Sequence, residues 1–411
     1  MNVCIFEDEG FKNLLPLTYT RPAFELRCGI FTLREKIQRL FPDFPVTVLC
    51  RDSLAEVVRE ENLAVNVNTL VDDDHIFVNG RALIDGQWLA KIDLAKEAMY
   101  CQEKEIVIAV LKKEALETLR RKIGQPLTTE DFGHFNRFPA TATLLNYPWD
   151  LIHHNSDQIT SDFELLESAG AIDGEIHPHV SLIERKNIFI AQGASVKSGS
   201  VLDAEMGPIA ISQGAKIFPN ATIIGPAFVG ENSLIKAGAK IYEGTSIGEY
   251  CKIGGEVEES IIHSYSNKQH DGFLGHSYLG QWINLGADTN NSDLKNNYGS
   301  VKVQLYGRTI DTHSQFVGAM IGDHAKTSIN SMLNTGTVIG PFSNIFGGGF
   351  PPKYVPAFSW GGSDGFEEYD FDKGMETADR VMKRRNKNLS PPLLALYRSI
   401  FEMTQPERTS R

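Results

Sequence analysis

Residues 211–253 read ISQGAKIFPNATIIGPAFVGENSLIKAGAKIYEGTSIGEYCKI. Every sixth position is apolar and β-branched: Ile211, Ile217, Ile223, Val229, Ile235, Ile241, Ile247 and Ile253. Between them stand small, polar and turn-forming residues, among them Gly214, Pro219, Asn220, Gly225, Gly230, Asn232, Gly238, Gly244 and Gly248. An amphipathic helix repeats every 3.6 residues and a half-exposed strand every 2, so neither sustains a period of six. A parallel β-helix does. Each short strand sends one aliphatic side chain inward, and the chain then turns a corner at a residue that tolerates positive φ.

The same register recurs upstream at Ile190, Val196 and Leu202, and slips at Met206–Ala210. Downstream it gives Phe273, Leu279 and Leu285, then Ile321, Thr327, Leu333, Ile339 and Ile345. At three hexads per triangular coil this predicts roughly six coils, enough for a solenoid core. A chain of 411 residues is expected to hold more than one domain. No apolar run approaches the ~20 residues of a membrane span, and MNVCIFEDEG does not read as a signal peptide. Cys4, Cys28, Cys50, Cys101 and Cys251 are odd in number and scattered, with no C-x-x-C, which points to reduced thiols, a cytoplasmic setting and no zinc cluster. The net charge of −12 argues against a nucleic-acid partner.

Residues 1–165 alternate apolar strands (Val3–Phe6, Val46–Leu49, Ile76–Val78, Ile106–Val110) with helical stretches (Thr32–Leu40, Ser53–Asn62, Lys112–Lys122). That order predicts an α/β domain with a mostly parallel sheet and ligand sites at the strands' C-terminal ends. Asp72-Asp73-Asp74 reads as solvated surface or as carboxylates for a metal. His177-Pro178-His179 lies in a junction at 166–189, with no third metal ligand in view.

The segment Pro16-Leu17-Thr18-Tyr19-Thr20-Arg21-Pro22 resembles the P-L-T-x-x-x-P part of the sugar-1-phosphate nucleotidyltransferase signature. Tyr147-Pro148-Trp149-Asp150-Leu151-Ile152, followed by Asn155, is similar to a further segment of that family. With the hexapeptide repeat, the whole chain resembles the bifunctional N-acetylglucosamine-1-phosphate uridyltransferase/glucosamine-1-phosphate acetyltransferase family, in the variant group of Bacteroidetes-type bacteria. The resemblance implies a nucleotidyltransferase-like domain at 1–165, a left-handed β-helix at 170–350, and a cap loop and short helical tail at 351–411. Three positions depart from the family pattern. The Gly-rich phosphate loop is replaced by Glu7-Asp8-Glu9-Gly10-Phe11-Lys12-Asn13; the Lys after the signature proline is Ala23; the Mg²⁺-holding Asp at a strand end is Arg81, after Gly80. Arg21, Arg27 and Arg81 could take over phosphate binding, or could pair with Glu7, Asp8 or Glu25 and hold the domain together.

After Ile253 the strict register stops, and residues 264–280 read SYSNKQHDGFLGHSYLG. Lys, His, Tyr and Asn concentrated over two coils exceed what solenoid packing needs. A polar departure, Asp288–Gly299, follows, and repeat proteins put such insertions on one face, often the binding face. His276-Ser277-Tyr278-Leu279-Gly280 is similar to the family's H-x-x-Y-L-G, with the His one residue closer to the Tyr. Asn284-Leu285-Gly286-Ala287 matches N-[IL]-G-A, and Asn297-Tyr298 the later N-Y. The resemblance implies that Tyr278, Asn284, Asn297 and Tyr298 hold the sugar phosphate and acetyl group, that Lys268 and Lys295 contact phosphate, and that Ala287 lies at acetyl-CoA. The general base is then His276 or His270. Histidine suits that role, because the attacking amine must lose a proton near neutral pH.

Past Ile345 the run Phe346-Gly347-Gly348-Gly349-Phe350-Pro351-Pro352 ends the solenoid, and Lys383-Arg384-Arg385-Asn386-Lys387 closes a helix either as a solvated C-terminus or as a contact for the CoA 3′-phosphate. The reading is a cytoplasmic homotrimer that acetylates an amino-sugar phosphate, with no metal in the acetyl site. Mg²⁺ and UTP or dTTP follow if the N-terminal domain turns over. The alternatives are a uridylyl- or thymidylyltransferase whose β-helix only oligomerises, and a non-catalytic sugar-nucleotide-binding scaffold.

Overall fold

A computed structural model describes every residue except 63, 134, 167–168, 306 and 410–411; the expected junction and tail each include two of these. The chain forms two compact units. One comprises Met1–Leu26, Phe31–Tyr147 and Pro391–Leu396, the other Arg27–Ile30, Pro148–Ser390 and Tyr397–Arg411. Helices Pro148–His153 and Asn155–Glu164, placed before 165 with the α/β domain in the sequence reading, pack in the second unit.

The first unit is built on a seven-stranded sheet in the order Asn66–Val67, Val46–Leu49, Asn2–Phe6, His75–Asn79, Glu105–Leu111, Ala98–Gln102, Arg137–Pro139. The first four strands run parallel, and Glu105–Leu111 lies antiparallel to its neighbours on both sides. Two expected helices form. Leu33–Leu40 starts at a capping box in which Thr32 and Glu35 satisfy each other's backbone N–H groups, and Asp52–Glu61 buries Leu54, Val57 and Val58. The third, expected at 112–122, breaks into a 3₁₀ turn at Lys113–Ala115 and one helical turn at Glu117–Arg120. It buries only Leu116 and Leu119, too small an apolar face to sustain a longer helix.

The second unit is the left-handed parallel β-helix. Its first face begins Glu175–Ile176, Ser195–Val196, Lys216–Ile217; its second Ser181–Ile183, Val201–Asp203, Thr222–Ile224; its third Ile188–Ile190, Ile209–Ile211, Ala227–Val229. The third face carries nine strands, so the solenoid is longer than the six coils counted from the hexads. Inward side chains stack in columns: Ile190, Ile211, Val229, Ile247, Ile262, Leu279, Ile321, Ile339 and Val355 line the third face, each almost wholly buried.

The register slips where the period falters. After Ile253 the next inward residues are Val257 and Ile262, because this coil is three residues shorter: Ile247 pairs with Ile262, 15 positions on, where Val229 and Ile247 are 18 apart. Leu274 therefore faces inward where Phe273 was expected, and Lys268 takes the place below Val196, Ile217, Ile235 and Ile253 in the first-face column.

One corner shows how far packing can override backbone preference. Gly214 and Asn232 adopt positive φ there, as expected, but so do Tyr250, Tyr265, Trp282, His324, Phe342 and Phe358 in successive coils. Bulky residues avoid this region. The corner turns their rings into one stack, with centroids 4.4 Å apart for Tyr265 and Trp282, 4.6 Å for His324 and Phe342, and 4.7 Å for Phe342 and Phe358. Such contacts, at about 0.5–1.5 kcal/mol each beyond burial, offset the strain. Tyr397 seals the stack, its hydroxyl 3.2 Å from His324 Nε2.

Candidate active site

His276 stands at the corner between the second-face strand Phe273–Gly275 and the third-face strand Tyr278–Gln281. Its φ of +43° turns the side chain out of the solenoid wall. Directly after Asn290–Asn291 the chain leaves the solenoid and returns at Met320–Ile321, carrying a hairpin of Lys302–Leu305 and Arg308–Asp311. This insertion brings two residues onto His276. Asp293 places an oxygen 2.8 Å from Nδ1, and the Phe316 ring stacks on the imidazole with centroids 5.0 Å apart. With Nδ1–H donated to Asp293, Nε2 carries the lone pair and makes no hydrogen bond among the described residues. Burial pushes the carboxyls of Glu258 and Glu259 up, and His276 opposes that shift at both.

His270, the other candidate base, is exposed, and its carbonyl accepts a hydrogen bond from Lys268. Lys295, Asn297 and Tyr298 lie on the insertion. Lys295 Nζ donates to Ser300 O at 3.0 Å, Asn297 Oδ1 accepts from Gly299 N at 3.1 Å, and Tyr298 is 66% exposed. Asn284 sits elsewhere, on the first face between Asn267 and Lys326, and Ala287 follows it, its carbonyl accepting from Asn330 N. One chain thus groups His276 with the insertion but not with Asn284 and Ala287.

Two expected substrate ligands are occupied internally. Tyr278 is fully buried; its hydroxyl accepts from Arg27 N at 2.9 Å and donates to Arg27 O at 3.2 Å, so it is a strut within the unit. Lys268 is 2% exposed and donates to Gly254 O and His270 O from inside the prism. Burial pulls its ammonium down to about 8. Neither reaches a ligand outside the wall.

The arginines divide between supporting roles. Arg27 lies over the Phe228 ring, bonds Ile30 O and stands 3.4 Å from Glu249. Arg21 is buried near Glu25, which is itself gripped by Arg34 at 2.5 Å. Arg81 is wholly buried and paired with Asp8, as the alternative reading held. Glu7 is taken by Arg51, which the sequence reading passed over. Asp293 and Phe316 were also missed: Asp293 lies in the polar departure at 288–299, which does not say which of its residues folds back, and Phe316 lies beyond it with no signal of its own. Among the described residues no three His, Cys, Asp or Glu side chains are grouped to hold a metal ion. Among them, too, no helix is long and apolar enough to cross a membrane.

Residues 3–170 match the family described as sugar nucleotidyl transferase. Over 384 residues the chain is 33% identical to the bifunctional sugar-1-phosphate nucleotidylyltransferase/acetyltransferase of Sulfurisphaera tokodaii, covering 82% of this chain and 94% of that protein. The chain belongs to that bifunctional family. As a member of the nucleotidylyltransferase/acetyltransferase family it is a transferase of sugar-nucleotide chemistry. It is also 29% identical over 186 residues to the bifunctional protein GlmU of Synechococcus elongatus, a match spanning 45% of this chain and 36% of that protein. Among solved structures, the UDP-N-acetylglucosamine acyltransferase of Campylobacter jejuni covers 56% of this chain and 96% of its own at 13% identity, with a TM-score of 0.24.

Proposed function

We propose that this chain transfers the acetyl group of acetyl-CoA to the amine of an amino-sugar phosphate, glucosamine-1-phosphate in the first instance, with His276 as general base. The observation that carries the reading is the His276–Asp293 pair beside the insertion. An imidazole held by a carboxylate at Nδ1 presents Nε2 as a proton acceptor and gains stabilisation when it becomes charged. The amine nitrogen bonds to the thioester carbonyl carbon, Nε2 takes the amine proton, and the C–S bond breaks. The imidazolium then returns the proton to the departing CoA thiolate. The sulfur of CoA is the leaving group, so no covalent enzyme intermediate is required. Lys295, Asn297 and Tyr298 are the substrate contacts in this reading.

The position of Asn284 and Ala287 on another face supports a homotrimer, in which a neighbouring chain supplies them. Five free, buried cysteines support a reducing, cytoplasmic setting. The test is thiol release from acetyl-CoA with glucosamine-1-phosphate as acceptor. A wild-type rate retained in His276→Ala would sink the assignment, and a monomeric mass in light scattering would sink the shared site. Nucleotidyl transfer from UTP or dTTP with Mg²⁺, the other half of the relatives' name, is outside this reading because of the position Arg81 occupies.

A further inference from the structure

Two charged ladders on the second unit go unanswered within one chain. The first is basic and climbs the first face. Asn284 pairs with Asn267 and Asn267 with Lys252, one coil per step. The turn after helix Phe371–Lys383 adds more cations: Arg385 Nη2 donates to Asn267 Oδ1 at 3.3 Å, with Arg384 beside it. Burial pulls the Lys252 ammonium down, and Arg385, Arg384 and Lys236 push it the same way. The second ladder is acidic and climbs the corner that carries His276. His276 N donates to Glu258 O at 3.2 Å and Glu259 N to Glu243 O at 3.0 Å, again one coil per step. A Cβ on Gly244 would stand 2.1 Å from Glu259 Oε2, so that carboxylate folds back over the Glu243–Gly244 turn.

Neighbouring carboxylates are matched: Glu249 by Arg27, Glu256 by Lys240 and Asp293 by His276. The ladders are not. Burial raises Glu258 and Glu259, and Glu243 adds its repulsion at both. The two columns also agree step for step. The shared site sets Asn284 of one copy opposite His276 of the next. With the solenoids parallel, Asn267 and its Arg385 then stand level with Glu259, and Lys252 with Glu243, because both columns climb by about 4.8 Å per coil. A phosphate-bearing ligand on the cations would leave the carboxylates unanswered, whereas a second copy answers both. Apolar area adjoins the ladders: Ile329, just past the strand that pairs with Asn284, is 67% exposed, and Tyr298 on the insertion is 66% exposed.

We propose that the first face of one copy docks on the His276 corner of the next, Lys252 and Arg385 meeting Glu243, Glu258 and Glu259, in a closed head-to-tail ring. This rests on the shared-site reading and adds the contacts that hold the site together. Sedimentation velocity on the intact chain tests it. The wild type is expected to assemble, with a Kd that weakens about tenfold or more between about 0.05 and about 0.5 M NaCl. Lys252→Glu/Arg385→Glu and Glu243→Arg/Glu259→Arg should each weaken association about 100-fold or more. The chain carrying all four substitutions should assemble again, which a misfolded variant could not do. A Kd unmoved by salt, assembly that survives either double variant, or no recovery with all four overturns these contacts and leaves the shared site standing. A wild type that is monomeric at every concentration and salt overturns both. The His276→Ala rate, which tests the base, is read independently of these outcomes.

Discussion

His276 Nδ1 and Asp293 Oδ2 lie 2.8 Å apart across 17 residues of sequence, one on the solenoid wall and the other at the root of the insertion. The pair makes the insertion part of the proposed active site, because the loop that would contact substrate also sets the tautomer of the base. Removing the base by His276→Ala should lower kcat for acetyl transfer by about 10²–10⁴-fold. Asp293→Asn keeps the shape but weakens the preference for Nδ1–H, and should cost about 10–100-fold, by analogy with other carboxylates that orient an imidazole. His270→Ala should leave the rate within about twofold. Steady-state thiol release distinguishes the three.

Arg81 and Asp8 are a buried ion pair, so breaking it should cost far more than removing both members. Arg81→Leu strands the Asp8 carboxylate and should destabilise the first unit by about 3–5 kcal/mol. Arg81→Lys should recover little, since an ammonium cannot reproduce the five-donor fork. The double variant Asp8→Leu/Arg81→Leu should be clearly more stable than Arg81→Leu alone. Urea unfolding of the three variants, followed by fluorescence, reads the order; equal losses for single and double variants would contradict it.

Lys268 makes stability depend on pH in an unusual direction. Burial lowers its pKa to about 8, below the ~10.4 of an unfolded lysine. Below pH 8 both states bind the proton and the full cost of burying the charge is present. As pH rises from about 8 to about 10.4 the folded state sheds the proton first, so this group's contribution to stability increases. Between pH 7 and pH 10 the wild type should gain roughly 2 kcal/mol relative to Lys268→Met. Parallel denaturation curves at the two pH values measure it, and a constant difference would mean that the ammonium is not desolvated.

The corner column yields a backbone prediction. Asn232 sits at φ +57°, and Asn232→Gly should change stability by only a few tenths of a kcal/mol. Asn232→Val places a β-branched residue in the left-handed region and should cost about 1–2 kcal/mol. Thermal melts of the two variants suffice, and an equal loss in both would point to the Asn232 side chain, not the φ, as the source of the effect.

Much of this protein is written in local pattern. The six-residue spacing runs unbroken from Ile211 to Ile253 and recurs on both sides of that stretch, so many repeats point to the same fold and the solenoid is legible without tertiary information. The strands at 2–6, 46–49, 75–79 and 105–111 are likewise apolar runs bounded by turns, and their order declares an α/β sheet. His276 could be picked out because its residue type is chemically conspicuous in a wall that needs only small turns.

What the chain conceals is register and partnership. Three residues lost from one coil shift the later inward positions, so Lys268, which looks like a phosphate ligand, faces the interior, and Leu274 displaces Phe273. Tyr278 matches a binding motif, yet its hydroxyl is used by the backbone of Arg27, 251 residues away. Asp8, Arg81, His276 and Asp293 are each visible as charges, but which charge meets which depends on where loops close in space. Hydrophobic periodicity is additive along the chain and survives reading one residue at a time. A hydrogen bond is decided within a few tenths of an ångström, and only the packed structure sets that distance.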